Sequence, residues 1–323
     1  MKRKSKLLGA ALAACAAVIF SGGVFAQEKL LIGATSASSS QYGYFVALSQ
    51  LINAKVSGVE SSVVETGATV DNLRRIGRNQ VDLGLVTTNV GYHAYAGVGD
   101  FEGKKVDSRL MFVYSPAPQN VVVRSDSGAQ KLSDLGGKRF NPGLKGSATE
   151  KTAEGVFKAL GIAPEYVRGS TTDIVDSIKD NRVIGYVKSG VGDKLDGSSL
   201  DIATFTPVRV LSLTPEQKKT VAEKFPDLSV VDIPAGAAEG IPAYSTWSFG
   251  LAVHARPGLS DETAYRIAKA AFEDRTVQAG AMSSLKGVDM IKLTLENGTV
   301  PLHPGVVRYL KEKGVTIPQK LMP

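Results

Sequence analysis

Three short segments rich in hydroxyl groups hold most of the chemistry this chain can offer. The first is Thr35-Ser36-Ala37-Ser38-Ser39-Ser40-Gln41, which follows a short apolar run and precedes Tyr44, Phe45, Leu48, Leu51 and Ile52 at helical spacing. Hydroxyls and free backbone N–H groups at a helix start suit a carboxylate. The plainer alternative is that one serine caps the helix and the others face water. The second, Gly67-Ala68-Thr69-Val70-Asp71-Asn72, has the same form, with Thr69 as cap and Asn72 one turn in. The third, Asn141-Pro142-Gly143-Leu144-Lys145-Gly146-Ser147-Ala148-Thr149-Glu150, is the most distinctive. Its glycines, Gly146 included, free the backbone to approach a ligand, and Ser147 and Thr149 offer donors at a helix start. Lys145 precedes its glycine, so the phosphate-loop spacing is not met, and no Gly-x-Gly-x-x-Gly follows a strand. The anion expected here is smaller than a nucleotide.

Catalysis finds little support. His93, His254 and His303 are scattered with no metal partner at helical spacing, and no Gly-x-Ser-x-Gly elbow presents a nucleophile. We expect no enzyme, no metal and no cofactor.

The elements that must position these loops follow from hydrophobic period. Lys29 to Ala34 reads as a strand, Ser61 to Glu65 as a second and Asp82 to Val86 as a third, ending in Thr87-Thr88-Asn89, with helices between them. Strands alternating with helices imply a parallel sheet that binds ligands beyond the carboxyl ends of its strands, which would gather the polar loops on one edge. Leu110 to Tyr114 and Asn120 to Arg124 are β-rich runs separated by Ser115-Pro116-Ala117-Pro118, read as a first crossing between lobes. A second α/β unit follows, with helices over Thr149 to Leu160 and Thr172 to Lys179 and a strand over Val183 to Val187. The Gly, Ala and Pro-rich stretch Pro234 to Ser248 is read as the return crossing, before a strand at Phe249 to His254 and a helix at Asp261 to Phe272. The expected fold class is α/β, with two lobes joined by a two-crossing hinge around a cleft. Lobe one takes residues 27–116 and 248–323, and lobe two takes 117–247.

Residues 1–26 have the parts of a cleaved secretory signal: basic Lys2, Arg3, Lys4 and Lys6, an apolar run from Leu7 to Phe20, then Val24-Phe25-Ala26. The run is shorter than the roughly 20 residues of a membrane span. Cys15 follows Leu12-Ala13-Ala14, which also looks like a lipoprotein box; lipidation there would leave an apolar stretch on the mature chain. Cys15 is the single cysteine, so a chain starting at Gln27 has no thiol for disulfides or metals. Of 38 Lys+Arg, four lie in the leader, leaving 34 against 31 Asp+Glu, a balance of +3. The bases are scattered among acids with no aromatic interleaving, which argues against nucleic-acid binding.

Four segments carry a resemblance: Glu65 to Leu73, Asp134-Leu135-Gly136-Gly137-Lys138-Arg139, Gly146-Ser147-Ala148-Thr149-Glu150, and Pro301-Leu302-His303-Pro304-Gly305-Val306-Val307-Arg308-Tyr309. In that order the chain resembles the TAXI family, solute receptors of one branch of tripartite (TRAP) transporters. The resemblance implies a type II periplasmic binding fold, location in the periplasm, a monomer without catalysis, and delivery of a small anionic solute such as glutamate or 2-oxoglutarate to an ion-driven permease. Exported sensory or adhesive proteins and a periplasmic hydrolase are the alternatives. Carried to matching positions, the binding loops are Thr35 to Ser39 with Ser36, Gly67 to Asn72, Thr88-Asn89, Gly146 to Thr149, and Ser189-Gly190. Leu302-His303-Pro304 reads as structural. The chain departs from the family at Ala68 and Thr69, where a glycine and a serine are usual, at Lys145 and Lys188, and at Ala243 to Trp247. Lys145 or Lys188 either pairs with a carboxylate or is solvated; Trp247 either covers the ligand or fills the core between lobes.

Overall fold

The computed structural model describes residues 27–323; the expected signal peptide, with Cys15 and its cleavage site, lies outside the described residues. The chain opens β1 (Glu28–Gly33), α1 (Ser40–Lys55), β2 (Val59–Val64), α2 (Thr69–Gly77), β3 (Leu83–Thr87), α3 (Thr88–Ala96) and the 16-residue β4 (Arg109–Arg124). It continues β5 (Arg139–Phe140), α4 (Ala148–Ala159), β6 (Glu165–Tyr166), α5 (Thr171–Lys179), β7 (Gly185–Ser189), α6 (Gly197–Phe205), β8 (Val208–Leu211), α7 (Pro215–Lys224) and β9 (Ser229–Ile233). β10 (Tyr244–Ala255), α8 (Asp261–Glu273), α9 (Val277–Ala281), α10 (Met290–Asn297) and α11 (Pro304–Glu312) complete it. The alternation of helix and strand is the one expected.

One mixed sheet runs β2-β1-β3-β10-β4-β7, with β8 also on β4 and β9 also on β10. β1 is parallel to β2 and β3, while β10 runs antiparallel to both β3 and β4. The stretch Ser115 to Pro118 runs inside the long strand β4, and the stretch Pro234 to Ser248 leads into the long strand β10, its last five residues already paired with β9. Residues 251–255 of β10 pair with β3 and residues 244–248 with β9; residues 119–124 of β4 pair with β7 and β8. Pro116 and Pro118 do not interrupt β4, for a geometric reason. Two residues apart, they turn the same edge, and their carbonyls accept from Gly192 N (3.1 Å) and Gly190 N (2.8 Å). Their missing N–H groups thus face that loop and not the ladder with β10, where a proline would remove a bond.

Burial follows the pattern. All five β3 residues are buried, as a strand covered on both faces must be. One large apolar core packs under α1, α2, α8 and α11, and a second cluster around Val122, Ile174, Tyr186 and Ile202 packs α5 and α6 on β7.

Candidate functional site

The strand ends are drawn together by one buried amide. Asn72 Nδ2 donates to the carbonyls of Gly33 (3.2 Å), Ala34 (2.9 Å) and Leu85 (2.9 Å), linking the ends of β1 and β3. Gly33 is obligatory beside it, since a Cβ there would stand 2.5 Å from Asn72 Oδ1. Thr66 Oγ1 adds a bond to Ala34 O and accepts from Ala68 N. Ala68 itself has φ 64° and ψ −145°, a conformation open mainly to glycine. That turn starts α2 with no side chain on its first N–H groups, and Val70 N reaches across to Gly146 O at 3.0 Å.

Between these strand ends and the loop before α4 lies a cavity of about 30 Å³. Thr35, Gln41, Ala68, Thr69 and Thr87 line it from one side, and Ser147, Ala148, Thr149, Lys188 and Ser189 from the other. Leu85, Leu144, Val187 and Leu251 supply the apolar wall. The starts of α1, α2 and α4, with the α3 cap Thr87, thus converge on one point. Each start carries backbone N–H groups without helical partners and the positive end of a helix dipole. In α4 the Ser147 hydroxyl takes Glu150 N at 3.1 Å, which leaves the first two N–H groups of the turn outside the cap. Gln41 Nε2, in the first turn of α1, is buried with no hydrogen-bond partner among the described residues. An unsatisfied donor of this kind costs about 1–3 kcal/mol and marks a place that wants an acceptor.

Lys188 is the one cationic side chain on the described lining, and no acid lines it. Its Nζ donates to Ser39 Oγ (3.1 Å) and stands 3.7 Å from Asp196 Oδ1, with 11% of the side chain exposed. Asp196 is wholly buried and accepts from Ser39 Oγ (3.0 Å), Ser40 N (3.0 Å), Ser198 N (3.0 Å) and Ser198 Oγ (2.6 Å). One carboxylate therefore sits at the N-termini of both α1 and α6 and ties them together. A contact between His93 Nε2 and Asp227 Oδ2 (3.0 Å) and an ion pair Lys151–Asp100 (3.2 Å) join the same two groups of elements away from the cavity.

Of the residues expected to bind, Thr35, Thr69, Ser147, Thr149 and Lys188 are brought together on the lining. Eight are placed elsewhere. Ser36 bonds Ser38, and Ser39 caps α1. Asn72 is spent on the three carbonyls. Thr88 Oγ1 accepts from Gly250 N, Asn89 Oδ1 accepts from Thr87, and Gly146 accepts from Val70 N through its carbonyl and donates its N–H to Glu150 Oε2. Gly190 is a packing glycine, since a Cβ would meet Lys194 O at 2.6 Å. Trp247 is fully buried edge-on to Phe157, ring centroids 6.1 Å apart, so of its two readings the geometry takes the core. Lys145 is exposed and off the lining. Sequence reasoning placed Gln41 and Thr87 in its polar loops but not among the binding residues, and it missed the apolar wall. Gln41 had one signal, a polar side chain three and four residues before Tyr44 and Phe45, on the face of the helix that turns inward.

The histidines lie apart from the cavity. His254 is buried against Ser108 Oγ (2.9 Å), and burial pushes its pKa down to about 3. His303 caps α11 by accepting from Gly305 N, and its Nε2 lies 3.1 Å from Leu259 O, so it too is held neutral by burial. No group of three His, Cys, Asp or Glu suited to a metal occurs among the described residues, and no described helix is long and apolar enough to cross a membrane. A larger hollow of about 650 Å³, between α1 and α8, is lined by ion pairs and solvated lysines and has no convergence of helix starts.

A model of the NMT1-like family matches residues 32–314. Among solved structures, the periplasmic binding protein BugD superposes with a TM-score of 0.55 at 12% identity, over 90% of this chain and 99% of that one. A putative L-cystine ABC transporter protein from Listeria monocytogenes gives 0.51 at 13%, over 81% and 98%, and an ancestral arginine-binding protein bound to arginine gives 0.50 at 17%, over 80% and 96%. At such identities the likeness is one of fold, and the fold is that of the type II periplasmic binding proteins.

Proposed function

We propose that this chain, which belongs to the NMT1-like family, is an exported solute receptor that holds a small carboxylate between its lobes and presents it to a membrane permease. Lobe one is assigned residues 27–116 and 248–323, lobe two 117–247, and the long strands β4 and β10 are the crossings on which they move. The observation that carries the reading is the convergence of the starts of α2 and α4, the buried unpartnered amide nitrogen of Gln41 and Lys188 on one cavity. Backbone N–H groups and hydroxyls suit an anion far better than a neutral solute. The cavity has room for a water or two, so a solute enters only when the lobes separate and is buried when they return.

The Gly-Ser-x-Thr-Glu turn and the Leu-His-Pro-Gly segment support a TAXI-type receptor working with a TRAP permease, and the leader supports the periplasm as its compartment. The second segment is structural: His303 caps α11 and tethers Leu259. The proposal is one of binding and release and contains no catalytic step. Calorimetric titration of the mature chain against carboxylates and amino acids tests the proposal. Saturable heat with at least one carboxylate is expected; silence across the whole panel sinks the reading. A multi-span permease encoded beside this gene is the expected context, and a sensor kinase in that place would move the role to signalling.

A further inference from the structure

We infer that the cleft selects a short, singly charged carboxylate bearing a 2-oxo or 2-hydroxy oxygen, and turns away dicarboxylates, because Asp196 already fills the place of a second carboxylate. The inference rests on the solute-receptor reading above and narrows its substrate class.

The argument is one of charge. Lys188 is the one cation on the described lining, and Asp196 stands 3.7 Å behind it with its carboxylate fully withdrawn from water. Four further donors hold that carboxylate in place, and one of them, Ser40 N, opens α1. The α1 dipole thus has its anion, and Lys188 has its counter-ion, both from within the chain. What remains turned to the cavity is neutral: the uncapped first turn of α2 after Ala68, the first turn of α4, and hydroxyls. Two helix N-termini carry about half a positive charge each, which together balance one carboxylate and no more. A second carboxylate would be buried without a partner, the costly arrangement for any ion. An amino acid meets a related obstacle, since no acid lines the cavity to receive its ammonium, and Asp196 behind Lys188 is spent on Lys188 and the two helix starts.

A second observation fixes the neighbouring group. Gln41 Nε2 is buried and unpartnered, and Gln41, 6% exposed, lines the cavity. A carboxylate on the α2 and α4 starts with a carbonyl or hydroxyl oxygen at the adjacent carbon satisfies this donor. The small cavity favours a short chain behind it.

Titration of the wild-type mature chain with pyruvate and lactate on one side, and succinate and 2-oxoglutarate on the other, tests this under one buffer. The expected result is at least tenfold tighter binding of the monocarboxylates. Dicarboxylates binding as tightly or more tightly overturn the inference while leaving the receptor reading intact; no heat from any carboxylate overturns both. Asp196→Asn removes the inner counter-ion, and the expected readout is a dicarboxylate-to-monocarboxylate preference shifted by tenfold or more toward dicarboxylates. An unchanged ratio in a folded Asp196→Asn chain overturns the role given to Asp196. Lys188→Gln removes the cation instead, and dicarboxylates must stay excluded in it; their admission counts against the inference. The wild-type comparison decides the matter even where a variant fails to fold.

Discussion

The starts of α1 and α4 are alike in sequence and opposite in use. Both open with serine caps, Ser39 and Ser147, after small polar loops. At α1 the chain closes the site on itself: Asp196, 157 residues from Ser39, delivers a carboxylate to Ser40 N and Ser39 Oγ. At α4 the nearest acid, Glu150, turns its carboxylate to Gly146 N and Arg168, so no anion of the chain sits on the first two N–H groups. A helix start supplied with an internal anion is a joint; one left with only a neutral cap is a place for a ligand. The two can be told apart by what breaking each one costs.

The largest effect is expected at the joint. Asp196→Ala leaves Lys188 buried without its partner and releases four donors, a change that costs about 3–5 kcal/mol when one member of a buried pair is removed. Urea unfolding of wild type and variant measures it. A loss below about 1 kcal/mol, the size of an exposed pair, would put α1 and α4 in the same class.

Acid tests a buried group that belongs to neither helix start. His254 is neutral in the folded chain with a pKa of about 3, against an ordinary value of about 6.5 when unfolded. Between those values the unfolded chain binds a proton that the folded chain does not. Stability therefore falls as the pH drops below about 6.5, by about 1.4 kcal/mol per unit for this one group, until about pH 3. His303, lowered in the same direction, adds to the slope. Unfolding free energies at pH 7, 6 and 5 should show that fall in wild type, and His254→Gln should flatten it.

Ser147→Ala probes the open start. Losing the cap costs about 0.5–2 kcal/mol of stability. Affinity for a carboxylate should fall further, by about 1–3 kcal/mol, the worth of a hydrogen bond to a charged group. The comparison is sharpened by Ser39→Ala, for which the balance is reversed: stability should suffer and affinity should change less. Equal affinity losses would erase the distinction.

How much of this was legible before the structure depends on the distance over which each interaction acts. The helix starts were readable because caps are local: Ser39 and Ser147 stand where polar loops meet a 3.6-residue period, whereas Thr69, expected to cap α2, is its first helical residue and the cap position falls to Ala68, which has no capping side chain to offer. The strand ends were readable for the same reason, and their gathering on one edge follows from parallel order. Asp196 was not readable, since Asp196-Gly197-Ser198-Ser199 announces only the start of α6. Its second duty at α1 is fixed by how two distant segments pack. Asn72 and Trp247 have types suited to a ligand, yet residue type does not say which way a side chain turns. Pro116 and Pro118 misled for a related reason: prolines end a strand only when their missing N–H faces the ladder, and here both face the other edge.

The smallest effect is expected at the third helix start. Ala68 begins α2 without a capping side chain, at φ 64° and ψ −145°, where a Cβ is strained by about 1–3 kcal/mol. Glycine removes that strain but adds about 0.5–1 kcal/mol of unfolded-chain entropy. Ala68→Gly should therefore stabilise the chain by about 1 kcal/mol, the net of the two. A destabilised variant would mean that the Ala68 methyl, which lines the cavity beside Thr69, contributes packing worth more than its strain. In that case affinity should fall together with stability. If stability rises and affinity holds, the bare start of α2 works through its backbone alone, and α2 belongs with α4 as a place for the ligand.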